Sequence, residues 1–375
     1  MLKQKSIENK IRVGIISENP SKGWSSIAHI PALISLPEYE IRAISNENEE
    51  KVAAAQKEFN IPMAFNDNLE LIQSPEIDMV VLGEKVPGFR KLVTEAIIAD
   101  KILYCDWPLG YGFAETIELA RFAKAMDVHN AIGLQSRAAP TVNYIKDLIS
   151  EGYVGKLKST SMVGACYTDE NELAQNLDYI NSENFRFRFM CFPFVHAVDV
   201  LCYCMGEFRE LNATAIESLK PEDCLHTKTS ISLTSYDQIA ISGVLENGAL
   251  ASVLYSGGVA KNTNFLWEII GTEGSLHITS HHGNPAFFEL SIQGSRGESQ
   301  EPEVLKVPQK YQLVSMAPAS GPAFNVAHNY AILAKDLKEN TKHVASFDDA
   351  VVRHRMIKAI EVSAATGTRQ IYLNN

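Results

Sequence analysis

Positive charge is scarce in this sequence: 34 Lys and Arg against 45 Asp and Glu leave a formal net charge of −11 over 375 residues. That balance argues against nucleic acid held on a basic face and against attraction to an anionic membrane. Long apolar runs are missing as well. The opening MLKQKSIENK lacks the apolar core of a signal peptide, and no later stretch reaches the roughly 18 unbroken apolar residues of a membrane span. A cytoplasmic protein is expected. No C-x-x-C pair occurs among Cys105, Cys166, Cys191, Cys202, Cys204 and Cys224. Reduced thiols are therefore expected, with Cys202 and Cys204 packing as small apolar residues rather than binding metal. His281-His282, in a turn, is no better as a metal site.

What remains is ordinary globular material, 46% apolar and 21% charged, long enough for two domains. The first 135 residues alternate apolar runs with helix-period segments. Strands are expected at 11–17, 39–45, 78–83, 101–105 and 131–134, and helices at 27–36, 47–59, 89–99 and 113–126. This alternation predicts a doubly wound α/β domain with a parallel sheet, over residues 1–137.

After Pro140 the texture changes to runs alternating apolar and polar positions. A hairpin over 238–255 turns at Asn247-Gly248, for which a type I′ turn is expected. Strands at 265–270 and 275–279 flank another turn. The second domain, 138–375, is expected to be α+β with a large, mostly antiparallel sheet. Its helices are expected at 141–150, 194–205, 324–339 and 347–365, and the last carries Val352, Met356, Ile360 and Ser363 as an apolar stripe that must be packed. Residues 294–302 (GSRGESQEP) suit a mobile surface loop.

Two stretches carry candidate chemistry in the first domain. The first strand runs into a loop holding Gly14, Ser17, Gly23 and Trp24, and a strand, a glycine-bearing loop and a helix start suit a pyrophosphate. The G-x-G-x-x-G pattern is imperfect, with Ile16 and Asn19 where the second and third glycines belong. The second strand ends in Ser45-Asn46, where NAD enzymes commonly carry a carboxylate for the ribose. Asn46 can bond a ribose without repelling a 2′-phosphate, or cap the next helix, so NAD and NADP are equally open. In the second domain Arg186 and Arg188 can clasp an anion or be solvated.

At the end of a later strand stands Tyr104-Cys-Asp-Trp-Pro108, and here the chain resembles the Gfo/Idh/MocA family of NAD(P)-dependent sugar and polyol oxidoreductases. The resemblance covers essentially the whole chain: the start at Gly14, Val86-Pro87, the CDWPLG run, Gln135-Ser-Arg137, His196-Ala-Val-Asp199, Gly271-Thr-Glu-Gly274 and the terminal FDDAVVRHRMIKAIEVSAATG. It implies a cofactor site at Gly14, Ser17, Gly23, Trp24, Ser45, Asn46, Val86, Pro87, Asp106, Trp107, Pro108 and Gln135. It implies substrate contacts from Trp107, Arg137, His196 and Asp199, with His196 as the catalytic group.

The departures are specific. Trp107 replaces the family's catalytic Lys, Asp106 its preceding Glu, and Phe192 the Asp of its D-x-x-x-H pattern. Indole has only an N–H donor and cannot take a substrate proton. The stretches GWSSIAHIPAL, VLGEKVPGF, CDWPLG and GLQSRAAP resemble a subgroup like the fungal galactose-regulon repressor, a dinucleotide-binding regulator. The leading expectation is hydride transfer on a sugar, polyol or sugar derivative by a homo-oligomer that binds neither nucleic acid nor membrane. The alternative is a catalytically silent, dinucleotide-binding regulator.

Overall fold

Near-continuous apolar runs rich in β-branched residues, such as IRVGII and MVVL, are the pattern of strands covered on both faces. The computed structural model describes residues 10–83, 88–166, 193–216, 236, 238–257, 264–297, 301–315 and 321–371. In it β1 (Ile11–Ile16), β2 (Tyr39–Ser45), β3 (Met63–Phe65), β4 (Met79–Leu82), β5 (Ile102–Cys105) and β6 (Asn130–Ile132) form one parallel sheet. The strand order β3-β2-β1-β4-β5-β6 reverses its direction of growth between β1 and β4. The C-terminal ends of that pair border the crevice in which doubly wound folds take ligands.

The crossovers are α1 (Ile30–Ile34), α2 (Glu49–Phe59), α3 (Asn68–Gln73), α4 (Phe89–Ile98) and α5 (Phe113–Ala125). The first differs from the single helix expected over 27–36. Ser25–His29 forms a wide π turn that leads into α1, with Pro31 in the first positions of that helix. Proline has no N–H to return to the carbonyl four residues back, and its ring crowds that carbonyl, so the preceding turn opens.

The chain divides into two compact units, the first comprising Met1–Ala139 and Gln312–His354 and the second Pro140–Tyr311 and Arg355–Asn375. The second contains α6 (Pro140–Ser150), β7 (Leu157–Cys166), α7 (Val195–Met205), β8 (Phe208–Ile216), β9 (Gln238–Leu245), β10 (Leu250–Gly257), β11 (Phe265–Gly271), β12 (Gly274–Ser280), β13 (Ser291–Arg296) and β14 (Glu303–Val304). With a short last strand these make a nine-stranded sheet, antiparallel except where β10 runs parallel to β7. Strict alternation along β10 buries Ala251, Val253 and Tyr255 and exposes Leu250 and Leu254.

Two expectations for this sheet need correction. The β9–β10 turn is not type I′, because Asn247 keeps a negative φ and only Gly248, at φ 87°, is left-handed. Gly248 N–H donates to Leu245 O at 2.9 Å, and Leu245 N–H to Ala249 O at 2.9 Å. This is a type I turn followed by a left-handed glycine, and Asn247 Oδ1 fixes it by accepting the Ala249 N–H. The supposed loop at 294–302 begins inside β13: Gly294, Ser295 and Arg296 pair with β12. A Cβ at Gly294 would lie 2.5 Å from Tyr153 Oη, so this glycine serves packing. Residues 298–300 lie outside the described residues.

The last part of the chain departs from the expected boundary. Helix α8 (Pro322–Glu339) returns to the first unit, where Val326, Ala327, Tyr330 and Leu333 join Val13, Ile15, Ile44, Met79 and Tyr104 in one core. An apolar helix face records that a helix is packed, not which sheet it packs on. Helix α9 (Phe347–Thr366) gives Phe347–His354 to the first unit and Arg355–Thr366 to the second. It buries Arg353, His354, Met356, Ile357, Ile360 and Ser363, with Val352 only half-buried, so it is packed on more than the one stripe expected. β15 (Gln370–Ile371) pairs with β8.

Candidate functional site

The loop after β1 is built mostly from bonds to itself and to β2. Gly14 lies within β1, where a Cβ would come 2.7 Å from the Leu71 side chain, so close packing of α3 accounts for it. Ser17 N–H donates to Ser45 O at 3.3 Å. The N–H groups of Lys22 and Gly23 both donate to Asn19 O, at 3.2 and 2.7 Å, so these two amides are engaged inside the turn. Trp24 precedes the π turn. The hydroxyls of Ser17 and Ser25 are buried without a hydrogen-bond partner among the described residues. Buried hydroxyls are ordinarily satisfied, so two orphans beside the switch point suit an absent polar ligand. Gly83, at the end of β4, has no room for a Cβ against Ser25 Oγ. This cradle fits a dinucleotide.

Asn46 is tied in place. Its Nδ2 donates to Ser17 O at 2.6 Å and Glu18 O at 3.0 Å, while its Oδ1 accepts the Asn48 N–H at 2.8 Å. The cap of α2 is Asn48, not Asn46, and Asn46 instead holds the loop against the end of β2. Ser45 Oγ donates to Asn68 Oδ1 at 2.7 Å.

β5 delivers the second group of residues. Asp106 Oδ1 lies 3.0 Å from Nε2 of the fully buried His29, whose Nδ1 is 2.7 Å from the Tyr330 hydroxyl. Trp107, 3% exposed, is joined to Pro108 by a cis peptide bond and packs on His354. Gly133, after β6, lets the chain approach: a Cβ there would lie 3.0 Å from Trp107 N and 3.1 Å from Asp106 Oδ1. Gln135 is buried in the 3₁₀ turn Gln135–Ala138. Arg137 is paired, its Nη1 donating to Asp349 Oδ1 at 2.7 Å. Burial alone would push the Asp349 carboxyl up, but the Arg137 charge and hydrogen bonds from Ser346 outweigh it and hold the carboxyl below the usual range.

Of the residues expected at this site, Ser17, Ser45 and Asn46 meet at the ends of β1 and β2, and Asp106, Trp107 and Pro108 follow β5. Val86 and Pro87, like Phe192, Arg186, Arg188, Cys191 and Cys224, lie outside the described residues. Sequence reasoning missed His29. Its only signal was a lone His in GWSSIAHIPAL, among apolar neighbours that gave it no polar context.

In the second unit, α7 carries His196 and Asp199, both buried. Burial lowers the His196 pKa to about 4 against the opposing influence of Asp199, so the imidazole is neutral at neutral pH. Its Nδ1 has no partner among the described residues. Cys105, Cys202 and Cys204 are buried and Cys166 is half-buried, and no disulfide joins any two of these four. Among the described residues no cluster of three His, Cys, Asp or Glu could hold a metal ion, and no helix is long and apolar enough to cross a membrane.

The likeness to known proteins follows the two-part architecture. Residues 21–133 match the oxidoreductase family with an NAD-binding Rossmann fold, Gfo/Idh/MocA, and residues 140–280 match the C-terminal domain of Gal80p. A dehydrogenase of Aspergillus oryzae, aclE, is 28% identical over 96% of this chain and 98% of its own length. The galactose/lactose metabolism regulatory protein GAL80 of Kluyveromyces lactis is 29% identical over 75% of this chain and 65% of its own. The structure of a super-repressor mutant of Gal80p from Saccharomyces cerevisiae superposes with a TM-score of 0.83 at 21% identity, covering 97% of this chain and 98% of that one. With a stretch like the Gfo/Idh/MocA Rossmann domain followed by one like the C-terminal domain of Gal80p, this chain resembles the Gfo/Idh/MocA oxidoreductases in a form similar to Gal80.

Proposed function

We propose that the chain is an NAD(P)-dependent oxidoreductase that moves hydride to or from a carbon of a sugar, polyol or sugar derivative. The observation that carries this is the cradle at the switch point, where the buried hydroxyls of Ser17 and Ser25 have no hydrogen-bond partner among the described residues. Ser17, Gly23, Trp24, Ser45, Asn46, Asp106, Trp107, Pro108 and Gln135 would hold the cofactor, with Gly14, Val86 and Pro87 assigned by family likeness. When bound, its nicotinamide accepts or returns the hydride. His196 is the group we assign to the alcohol proton: a neutral buried imidazole can accept it as the carbonyl forms. Trp107, Arg137, His196 and Asp199 are assigned to the substrate. The exposed face of the second unit's sheet, with Leu250, Leu254, Val163 and Ile270, suits a second copy of this chain in a cytoplasmic homo-oligomer.

The second reading, a dinucleotide-binding regulator without turnover, is favoured by one observation. Trp107 is buried and ring-packed where the resemblance places the catalytic Lys, and its indole has no basic group to accept a substrate proton. Calorimetric titration with the oxidised and reduced forms of NAD and NADP, then assay against aldoses, polyols and inositols, separates the readings. Binding with turnover supports the oxidoreductase, binding without turnover the regulator, and no binding removes both.

A further inference from the structure

The first unit contains a buried polar chain that the sequence does not announce. His29 and Tyr330 are fully buried, while the Asp106 side chain is 17% exposed, so the open end of the chain is the carboxylate. Burial pushes the Tyr330 phenol well above its ordinary range, which keeps its proton on the oxygen. The Tyr39 hydroxyl donates to the Tyr330 carbonyl, not to its hydroxyl. The Tyr330 O–H therefore has His29 Nδ1, 2.7 Å away, as its acceptor. An imidazole whose Nδ1 accepts carries its proton on Nε2, and that nitrogen lies 3.0 Å from Asp106 Oδ1, a carboxylate oxygen that can only accept it. Every donor along Tyr330, His29 and Asp106 then meets an acceptor.

The imidazole is also held sideways. Tyr104 and Tyr330 meet it edge-on with ring centroids 5.3 and 5.8 Å away, and Trp24 with its centroid at 6.3 Å. A ring boxed in this way cannot flip its two nitrogens without unpacking the core of β1, β5 and α8. Asp106 Oδ1 is thus fixed from behind, and Oδ2 is the remaining acceptor of a carboxylate placed directly after β5, on the ligand-binding edge of the sheet.

We propose that His29 and Tyr330 are positioning residues for dinucleotide binding, locking Asp106 so that its second oxygen accepts a hydrogen bond from an N–H or O–H group of the bound dinucleotide. This rests on the dinucleotide reading above. The fixed imidazole serves the cofactor through the carboxylate and touches no ligand itself.

The test is calorimetric titration of NAD and NADP into the native protein and His29→Leu, His29→Gln, Tyr330→Phe and Asp106→Asn variants, with melting curves of each. Long-range ¹H–¹⁵N spectra of the ligand-free native and Tyr330→Phe proteins report the tautomer. A hydrogen bond to a charged group accounts for roughly a tenfold or greater change in affinity. His29→Leu and Asp106→Asn should each weaken binding by about that factor, while His29→Gln, which keeps an N–H, should stay within about threefold. His29→Leu should cost nothing further when Asp106 is already Asn. The native spectrum should show one Nε2–H imidazole in slow exchange, and Tyr330→Phe should lose that single tautomer. Native-like affinity in His29→Leu, or an equal loss in the Asp106→Asn background, overturns the proposal, because packing alone would then explain any effect. A flat titration of the native protein instead removes the dinucleotide reading itself.

Discussion

Trp107 lies against His354, ring centroids 4.7 Å apart and ring planes 44° from parallel, so the residue expected from resemblance to stand in place of a lysine is part of a packed aromatic pair. Restoring the lysine is therefore not a simple gain of a proton carrier. Trp107→Lys would bring an ammonium into a nearly closed space beside His354 and remove an indole from it. The expected result is a loss of about 3 kcal/mol or more, seen as a clear drop in the apparent melting temperature, with no rise in turnover. Trp107→Phe keeps a ring in the space and should melt much closer to the native protein. A soluble Trp107→Lys variant of native stability would show that the stacking carries little of the fold.

The buried His196 sets a pH dependence with a definite sign. Its folded pKa of about 4 is below the ordinary 6.5, so between these values the unfolded chain binds a proton that the folded chain does not. Its contribution is fully present above about pH 6.5 and is lost as pH falls toward 4, with a slope of at most about 1.4 kcal/mol per pH unit. Urea denaturation of native protein and His196→Gln across that window checks it: the native curve should steepen relative to the variant. If His196 also takes the substrate proton, the rate should be level from pH 6 to 8 instead of rising through 6.5, because the imidazole is already neutral there.

Gly83 offers a separate handle on the cofactor cradle. A methyl group at this position, just after β4, would displace the Ser25 hydroxyl and crowd His29, whose Cδ2 would be 3.3 Å away. Gly83→Ala is expected to weaken dinucleotide binding by an order of magnitude or more, through loss of about one hydrogen bond to a charged phosphate. Equal dinucleotide affinities for Gly83→Ala and the native protein would separate Ser25 from the cofactor.

The fold was readable because its signals are local. Apolar strands alternating with 3.6-period segments marked five of the six Rossmann strands to within two residues at their ends, while β3 was missed; none of its three residues is fully buried, unlike the equally short β6, which buries two. Long-range destinations were not readable. Nothing in NVAHNYAILA says that α8 packs on β1 and β5, and without that contact Tyr330 cannot be linked to His29, 301 positions earlier. The role of Asn46 was hidden for a similar reason. Its bonds to Ser17 and Glu18 depend on how far β1 reaches beyond β2, which spacing in one sequence does not reveal.

Those bonds reverse the outcome expected from placing a carboxylate at Asn46. In many dinucleotide folds an acidic residue here grips the ribose of NAD and repels the phosphate of NADP, so Asn46→Asp looks like a switch toward NAD. In this chain the Asn46 amide donates at 2.6 Å to Ser17 O and at 3.0 Å to Glu18 O. An aspartate cannot donate, and it would set a charged oxygen against two carbonyl oxygens in a largely buried place. Its Oδ1 could still accept the Asn48 N–H, so α2 should remain capped by Asn48. The loop carrying Ser17 is what should loosen. Asn46→Asp is therefore expected to weaken NAD and NADP together by roughly tenfold or more, the loss of hydrogen bonds that leave buried acceptors unsatisfied. Asn46→Gln, which keeps the amide but lengthens its reach, should show an intermediate loss. The measurement is a pair of titrations on each variant. A variant that gains NAD affinity while losing NADP would mean that the residue faces the ribose and that its bonds to the loop are dispensable.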